Sequence, residues 1–249
     1  MRKRSEMMKK NRSKKIIIWI VSLIGIVTII GYLLINMNTY GASKEAEIVS
    51  QQAEEEDNYT FYASGEANAL GLIFYPGGLV EPDSYSLWAK QIAQAGYDVY
   101  VMHFPLNLAV LAPNRAQEIQ NKHPEQSFVL AGHSLGGVMA SRYIAANPKS
   151  IAGMIFFASY PDEKGALTNS SIPVLSITAT NDGVLNQATY EEAKQYLPKD
   201  TIYEAIEGGN HAGFGSYGVQ KGDKEATISN EEQQAIISQL LIEWLNTLA

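Results

Sequence analysis

Three stretches of this chain, Leu70–Tyr75 (LGLIFY), Phe128–Ala131 (FVLA) and Ile151–Ala158 (IAGMIFFA), are apolar without any inward–outward alternation. A strand of that kind has to be covered on both faces, the situation of parallel strands flanked by helices. Further strands are expected at Tyr59–Ala63, Asp98–His103, Pro173–Thr178 and Thr201–Ile206, with Ser127 opening the FVLA strand. Helical patterns fall between them, at Ser84–Ala95, Leu108–Lys122, Leu135–Asn147, Asn186–Tyr196 and Ser229–Leu248. The last carries a capping box, Ser229 with Glu232. Strands alternating with helices predict one α/β domain over residues 58–249, a mostly parallel, doubly wound sheet. Its functional residues should stand at the carboxyl ends of the strands.

The N-terminal part obeys different rules. Ile16 to Ile35 is twenty residues without a charge, about 30 Å as a helix, the thickness of a bilayer's hydrocarbon core. Eight basic residues against Glu6 give residues 1–15 a charge of +7; since the whole chain is −7, the remainder carries −14. The arrangement predicts a basic cytoplasmic tail (1–15), a transmembrane signal-anchor helix (16–36) in the cell membrane and an extracytoplasmic C-terminal domain. A cleaved signal peptide would have the same orientation and release a secreted domain. Residues 37–57, polar and acidic, are expected to be a flexible linker, holding the domain about 25 Å from the bilayer. A domain this acidic is a poor nucleic-acid binder.

Gly132-His133-Ser134-Leu135-Gly136 fits G-x-S-x-G, with Gly137 extending it. The pattern lies between a buried strand and a helix, as a nucleophile elbow requires: a sharp, strained turn lifts the central serine hydroxyl clear of the sheet. A serine needs a base. Four histidines are present. His133 should point away from its neighbour Ser134, His123 reads as a helix-end residue, and His103 ends a strand ahead of the serine. His211, in the glycine-rich loop Glu207–Gly215 after the last strand, is the candidate base. Asp182 follows strand PVLSIT and precedes His211, so it is the candidate orienting acid; Asp162, after IAGMIFFA, is the rival. The order Ser134, Asp182, His211 suits this fold. An oxyanion needs two preorganised N–H donors: Leu135, after the nucleophile, and Gly78 in Tyr75-Pro76-Gly77-Gly78-Leu79, with Leu79 as the near alternative. Cysteine is absent, which removes disulfides, thiolate metal sites and a cysteine nucleophile. No metal or organic cofactor is implied.

On YPGGLV, AGHSLGG, TNDG and GGNHAGFGSYG, taken in that order, residues 58–249 resemble the α/β-hydrolase superfamily, and within it the small, lidless, dienelactone-hydrolase-like members. Those proteins use a cysteine nucleophile; this chain has a serine, which turns the expectation from lactones to carboxylic esters of small or short-chain acyl groups. The resemblance implies a serine esterase acting through Ser134, Asp182 and His211, with a small-molecule ester as its partner. Two alternatives stay open: an envelope acyltransferase or thioesterase with the same triad, and a surface binding module without catalysis.

Overall fold

The computed structural model describes residues 2–65, 70–149 and 151–248, with side chains from residue 19 onward. The chain divides into two compact units, Met1–Thr39 and Tyr40–Ala249. The first contains one helix, α1 (Arg2–Met37). Its segment Trp19–Met37 is long and apolar enough to cross a membrane, and none of that window is buried within the protein.

The second unit is built on an eight-stranded sheet: β1 (Glu54–Glu56), β2 (Tyr59–Tyr62), β3 (Leu70–Tyr75), β4 (Asp98–Met102), β5 (Ser127–His133), β6 (Ile151–Phe157), β7 (Val174–Ala179) and β8 (Ile202–Ile206). The order is β1-β2-β4-β3-β5-β6-β7-β8. The pairings β1–β2 and β2–β4 are antiparallel and all others parallel. This is the α/β-hydrolase fold, and all seven expected strands are present.

The uninterrupted apolar runs have the predicted cause. Every residue of β3 is buried. Leu72 and Phe74 pack on one face with α3 (Ser86–Gln94) and α7 (Asn230–Leu245), through Trp88, Ile92 and Leu241. Ile73 and Tyr75 pack on the other with α4 (Ala116–Lys122) and α5 (Leu135–Ala146), through Ile119, Met139 and Ile144. Ser229 caps α7, its hydroxyl accepting from the Glu232 N–H at 3.1 Å. Between β6 and β7 the only helical element is a single 3₁₀ turn, Glu163–Gly165, so no lid domain is inserted there.

Two expectations are corrected. The helix expected from Leu108 begins only at Ala116. Pro113 disfavours helical geometry in the residue before it, and Ala112 is non-helical, with φ −150° and ψ 58°. Upstream, Leu106 and Asn107 both take positive φ, and the segment forms two 3₁₀ turns, Pro105–Asn107 and Ala109–Leu111.

The second correction concerns residues 37–57, which are no flexible linker beyond Thr39. Ser43 caps α2 (Lys44–Ser50), its side chain accepting from the Ala46 N–H. Ala46 is fully buried, and its carbonyl accepts from the buried Ser86 hydroxyl at 2.6 Å. Glu54–Glu56 is an edge strand whose side chains are all exposed. Backbone pairing holds that strand, so its acidic composition is compatible with order. A chain beginning at Asn58 is therefore expected to melt well below one beginning at Tyr40, by about 5–10 °C if the lost segment contributes a few kcal/mol; thermal scans of the two fragments by circular dichroism measure the difference.

Candidate active site

Ser134 sits between β5 and α5 with φ 51° and ψ −122°, a region that non-glycine residues enter only when their surroundings force them. The forcing contacts are visible. A Cβ on Gly136 would lie 2.1 Å from the Tyr75 carbonyl oxygen and one on Gly132 would lie 2.5 Å from the Gly137 nitrogen. Only glycine permits α5 to start this close to the end of β3. The Ser134 N–H donates to the Phe157 carbonyl at 3.0 Å, and the Ser159 hydroxyl donates to the Ser134 carbonyl at 2.6 Å. The turn is thereby fastened to β6.

His211 and Asp182 come together from loops after β8 and β7. The His211 Nδ1–H donates to Asp182 Oδ2 at 2.8 Å, with both side chains almost wholly buried. The other carboxylate oxygen accepts from the N–H groups of Val184 and Leu185, each at 2.7 Å. A buried carboxylate is tolerated when its lone pairs are satisfied in this way. The other ring nitrogen, His211 Nε2, is buried and makes no hydrogen bond. His211 and Ser134 line one cavity of about 250 Å³, together with Leu135, Val138, Val184 and Leu185.

The other side of the serine is the loop after β3. Gly77 donates its N–H to the Tyr85 hydroxyl at 2.9 Å, and Leu79 donates its own to the Asn107 carbonyl at 2.8 Å. Leu79, the alternative oxyanion donor, is thus occupied. The Gly78 N–H between them makes no hydrogen bond among the described residues, and a Cβ on Gly78 would lie 3.2 Å from the Leu135 side chain. Leu135 opens α5, so its N–H has no acceptor within the helix. Gly78 and Leu135, neither of whose N–H groups makes a hydrogen bond among the described residues, are thus neighbours.

Asp162 is elsewhere. It caps the 3₁₀ turn Glu163–Gly165 and forms a bidentate pair with Arg142, whose Nε lies 3.0 and 3.1 Å from its two oxygens. The Arg142 guanidinium holds the Asp162 carboxyl below its ordinary range. His103 hydrogen-bonds Thr60 at 2.8 Å, and His123 lies 3.3 Å from the Tyr100 hydroxyl.

Three participants were not legible in the sequence. His133 does not turn away from the site: its ring packs against His211 with centroids 4.5 Å apart, and Nδ1 lies 2.9 Å from the Tyr85 hydroxyl. Burial, with His211 adding to it, pushes His133 well below the usual histidine range, so it is neutral. Tyr85 thereby ties the β3 loop to the elbow. Asp223 joins the other two loops, accepting from Gly183 at 2.9 Å and from Ala212 at 2.8 Å. Neither residue belongs to a local motif, because each reaches one partner 40 or more positions away in sequence, His133 for Tyr85 and Gly183 for Asp223. Among the described residues no group of three or more His, Asp or Glu is placed to hold a metal ion.

The sequence pattern of the alpha/beta hydrolase family matches residues 71–235. The chain belongs to the alpha/beta hydrolase family. Solved structures share the fold at low sequence identity. An alpha/beta hydrolase enzyme from the metagenome of sediments of the lagoon of Mar Chica, Morocco, superposes with TM-score 0.59 at 16% identity, over 78% of this chain and 98% of that one. The esterase domain of a Rhodothermus marinus protein gives 0.57 at 11% identity, over 75% and 90%. Paleococcus ferrophilus monoacylglycerol lipase gives 0.56 at 14% identity, over 76% and 99%. By sequence, no curated protein matches. In this hydrolase-family domain Asp162 is paired with Arg142, and pH reveals the pair. Because its folded-state pKa is depressed, the Arg142 pair stabilises above the unfolded pKa and fades as pH falls through the folded value. Asp162→Asn should therefore be less stable than the parent at pH 7, by up to about 1 kcal/mol for a partly exposed pair; urea titrations should show the gap closing as pH falls below about 4.

Proposed function

We propose that the chain is a serine hydrolase that cleaves carboxylic esters. The observation that carries this reading is the buried Asp182–His211 hydrogen bond, which leaves the free Nε2 lone pair in the same cavity as a serine held in strained geometry. Ser134 Oγ attacks the ester carbonyl while His211 Nε2 takes its proton. Asp182 fixes the tautomer and stabilises the imidazolium that forms. The N–H groups of Leu135 and Gly78 receive the developing oxyanion. The tetrahedral intermediate collapses, the ester C–O bond breaks, and the alcohol leaves with the proton from His211. Water then attacks the acyl-enzyme, giving its proton to Nε2, and the acid is released from a regenerated Ser134. No metal or cofactor is needed for these steps.

The position of the apolar helix supports anchorage. With its eight basic residues ahead of the span, the catalytic domain would lie on the extracytoplasmic side.

Ser134→Ala should lower turnover of a short-chain nitrophenyl ester by about 10⁴-fold or more and abolish labelling by a fluorophosphonate. Substantial residual turnover by the folded variant would remove the assignment. Asp182→Asn should cost on the order of 10²–10⁴-fold through the wrong tautomer, whereas Asp162→Asn should stay within about twofold of the parent. The reverse ranking in kcat would move the acid to Asp162.

A further inference from the structure

The catalytic unit begins at its own active-site rim. Tyr40, its first residue, donates its N–H to the Leu79 carbonyl at 2.7 Å and accepts from the Glu81 N–H at 3.0 Å, so it pairs with the loop that carries Gly78. Its ring packs on Tyr217, centroids 5.6 Å apart, and its hydroxyl accepts from the Lys221 N–H at 3.2 Å. Ser43 then donates its N–H to the Ser216 carbonyl at 2.7 Å. Residues 40–43 are thus fastened to the two loops on either side of the site, the one after β3 and the one after His211.

The apolar helix ends at Met37. Only Asn38 and Thr39 separate it from Tyr40, and three Cα–Cα steps span at most about 11 Å. The chain enters the domain at that rim. Segments near these attachments in sequence also expose aliphatic side chains. Asn107, whose carbonyl holds Leu79, is followed by Val110 and Leu111, 49% and 52% exposed, and Val219 beyond Tyr217 is 92% exposed. Exposed aliphatic residues beside a membrane attachment point suit the boundary between headgroups and acyl chains. The cavity of about 250 Å³ at Ser134 cannot enclose a long acyl chain, so the rest of such a substrate has to lie outside it.

We infer that the ester received at Ser134 belongs to a membrane lipid, presented with its carbonyl at the bilayer surface while part of its hydrocarbon stays in the leaflet. The inference rests on the serine-hydrolase reading above and adds the substrate class to it. The reaction is hydrolysis: the acyl C–O bond breaks, water supplies hydroxyl to the acid and hydrogen to the alcohol, and no further reactant is consumed. Because the catalytic part of the chain is strongly acidic, a zwitterionic host bilayer is the appropriate one, anionic lipid being repelled.

The full chain is reconstituted into phosphatidylcholine vesicles containing monooleoylglycerol, and its rate on that lipid is compared with its rate on soluble nitrophenyl butyrate. A second protein carries about twenty glycine and serine residues between Asn38 and Thr39, a coil of about 25 Å, which leaves every catalytic residue untouched. The expected result is an unchanged rate on the soluble ester and a fall of about tenfold on the vesicle lipid, as the fixed reach is lost. Equal rates for the two proteins on the lipid, an equal fall on both substrates, or turnover of the soluble ester with none of the lipid would each overturn the inference while leaving the esterase reading intact. Absence of turnover on both substrates together with no fluorophosphonate labelling of Ser134 would sink the esterase reading itself.

Discussion

The catalytic geometry depends on one close backbone approach, the start of α5 pressed against the end of β3. At Gly136 the space between helix and carbonyl oxygens is too small for a single methyl group. That approach does two things together. It forces Ser134 into its strained conformation, and it brings the loop after β3 alongside the first N–H groups of the helix. Ser134 and the proposed oxyanion donors are thus placed by one contact, between strands adjacent in the sheet. Strain at a functional residue persists only when its neighbours over-determine it. Here the over-determination comes from the Phe157 carbonyl, the Ser159 hydroxyl and the glycines together.

Asp182 and His211, the proposed acid and base, have no such scaffold of their own. They stand on loops, and loops are ordered only by what they bind. Asp223 accepts N–H groups from both loops. Gln233 pairs through its side-chain amide with both backbone groups of Asn210, and Gln234 donates to the carbonyls of Gly213 and Gly215. The N-terminal turn of α7 therefore serves as a clamp on the histidine loop, and both glutamines are buried as a consequence. Burying Asp182 and His211 would be costly without this ring of donors and acceptors. With it, the imidazole is held in one tautomer before any substrate arrives.

The sheet and the serine, aspartate and histidine that line its rim were legible because each leaves a local mark. A strand covered on both faces must be apolar at consecutive positions, and an elbow must have glycine where backbones collide. His211 and Asp182 followed from chain order and from their places just after apolar strands. What stayed hidden acts over distance. Tyr85, His133, Asp223 and Gln233 matter through partners 20 or more positions away, and no local pattern distinguishes a bridging tyrosine from a core one. The helix overextended to Leu108 failed for a different reason. PLNLAVLA has helical spacing, and the tertiary bond from Leu79 to the Asn107 carbonyl, with Pro113 behind it, overrides that local preference.

The misreading of residues 40–57 has a general cause. Composition registers side chains, whereas an edge strand is held by its backbone. Glu54–Glu56 pairs residue for residue with Tyr59–Phe61 while presenting three carboxylates to water. Charged side chains on such an edge also discourage a further strand from adding to it, so the feature that resembles disorder in a sequence is also what keeps the sheet from extending. α2 poses the same problem on a smaller scale. Only Ala46 and Ser50 of its seven residues are buried, too few to make an amphipathic stripe. Its order comes from bonds to Ser86 and Asp83, which lie in the segment that leads from the β3 loop into α3. The residues that look most like a spacer are therefore joined to the same stretch of chain that carries Gly78 and Tyr85, and the length of free chain available to separate helix from site shrinks from some twenty residues to two.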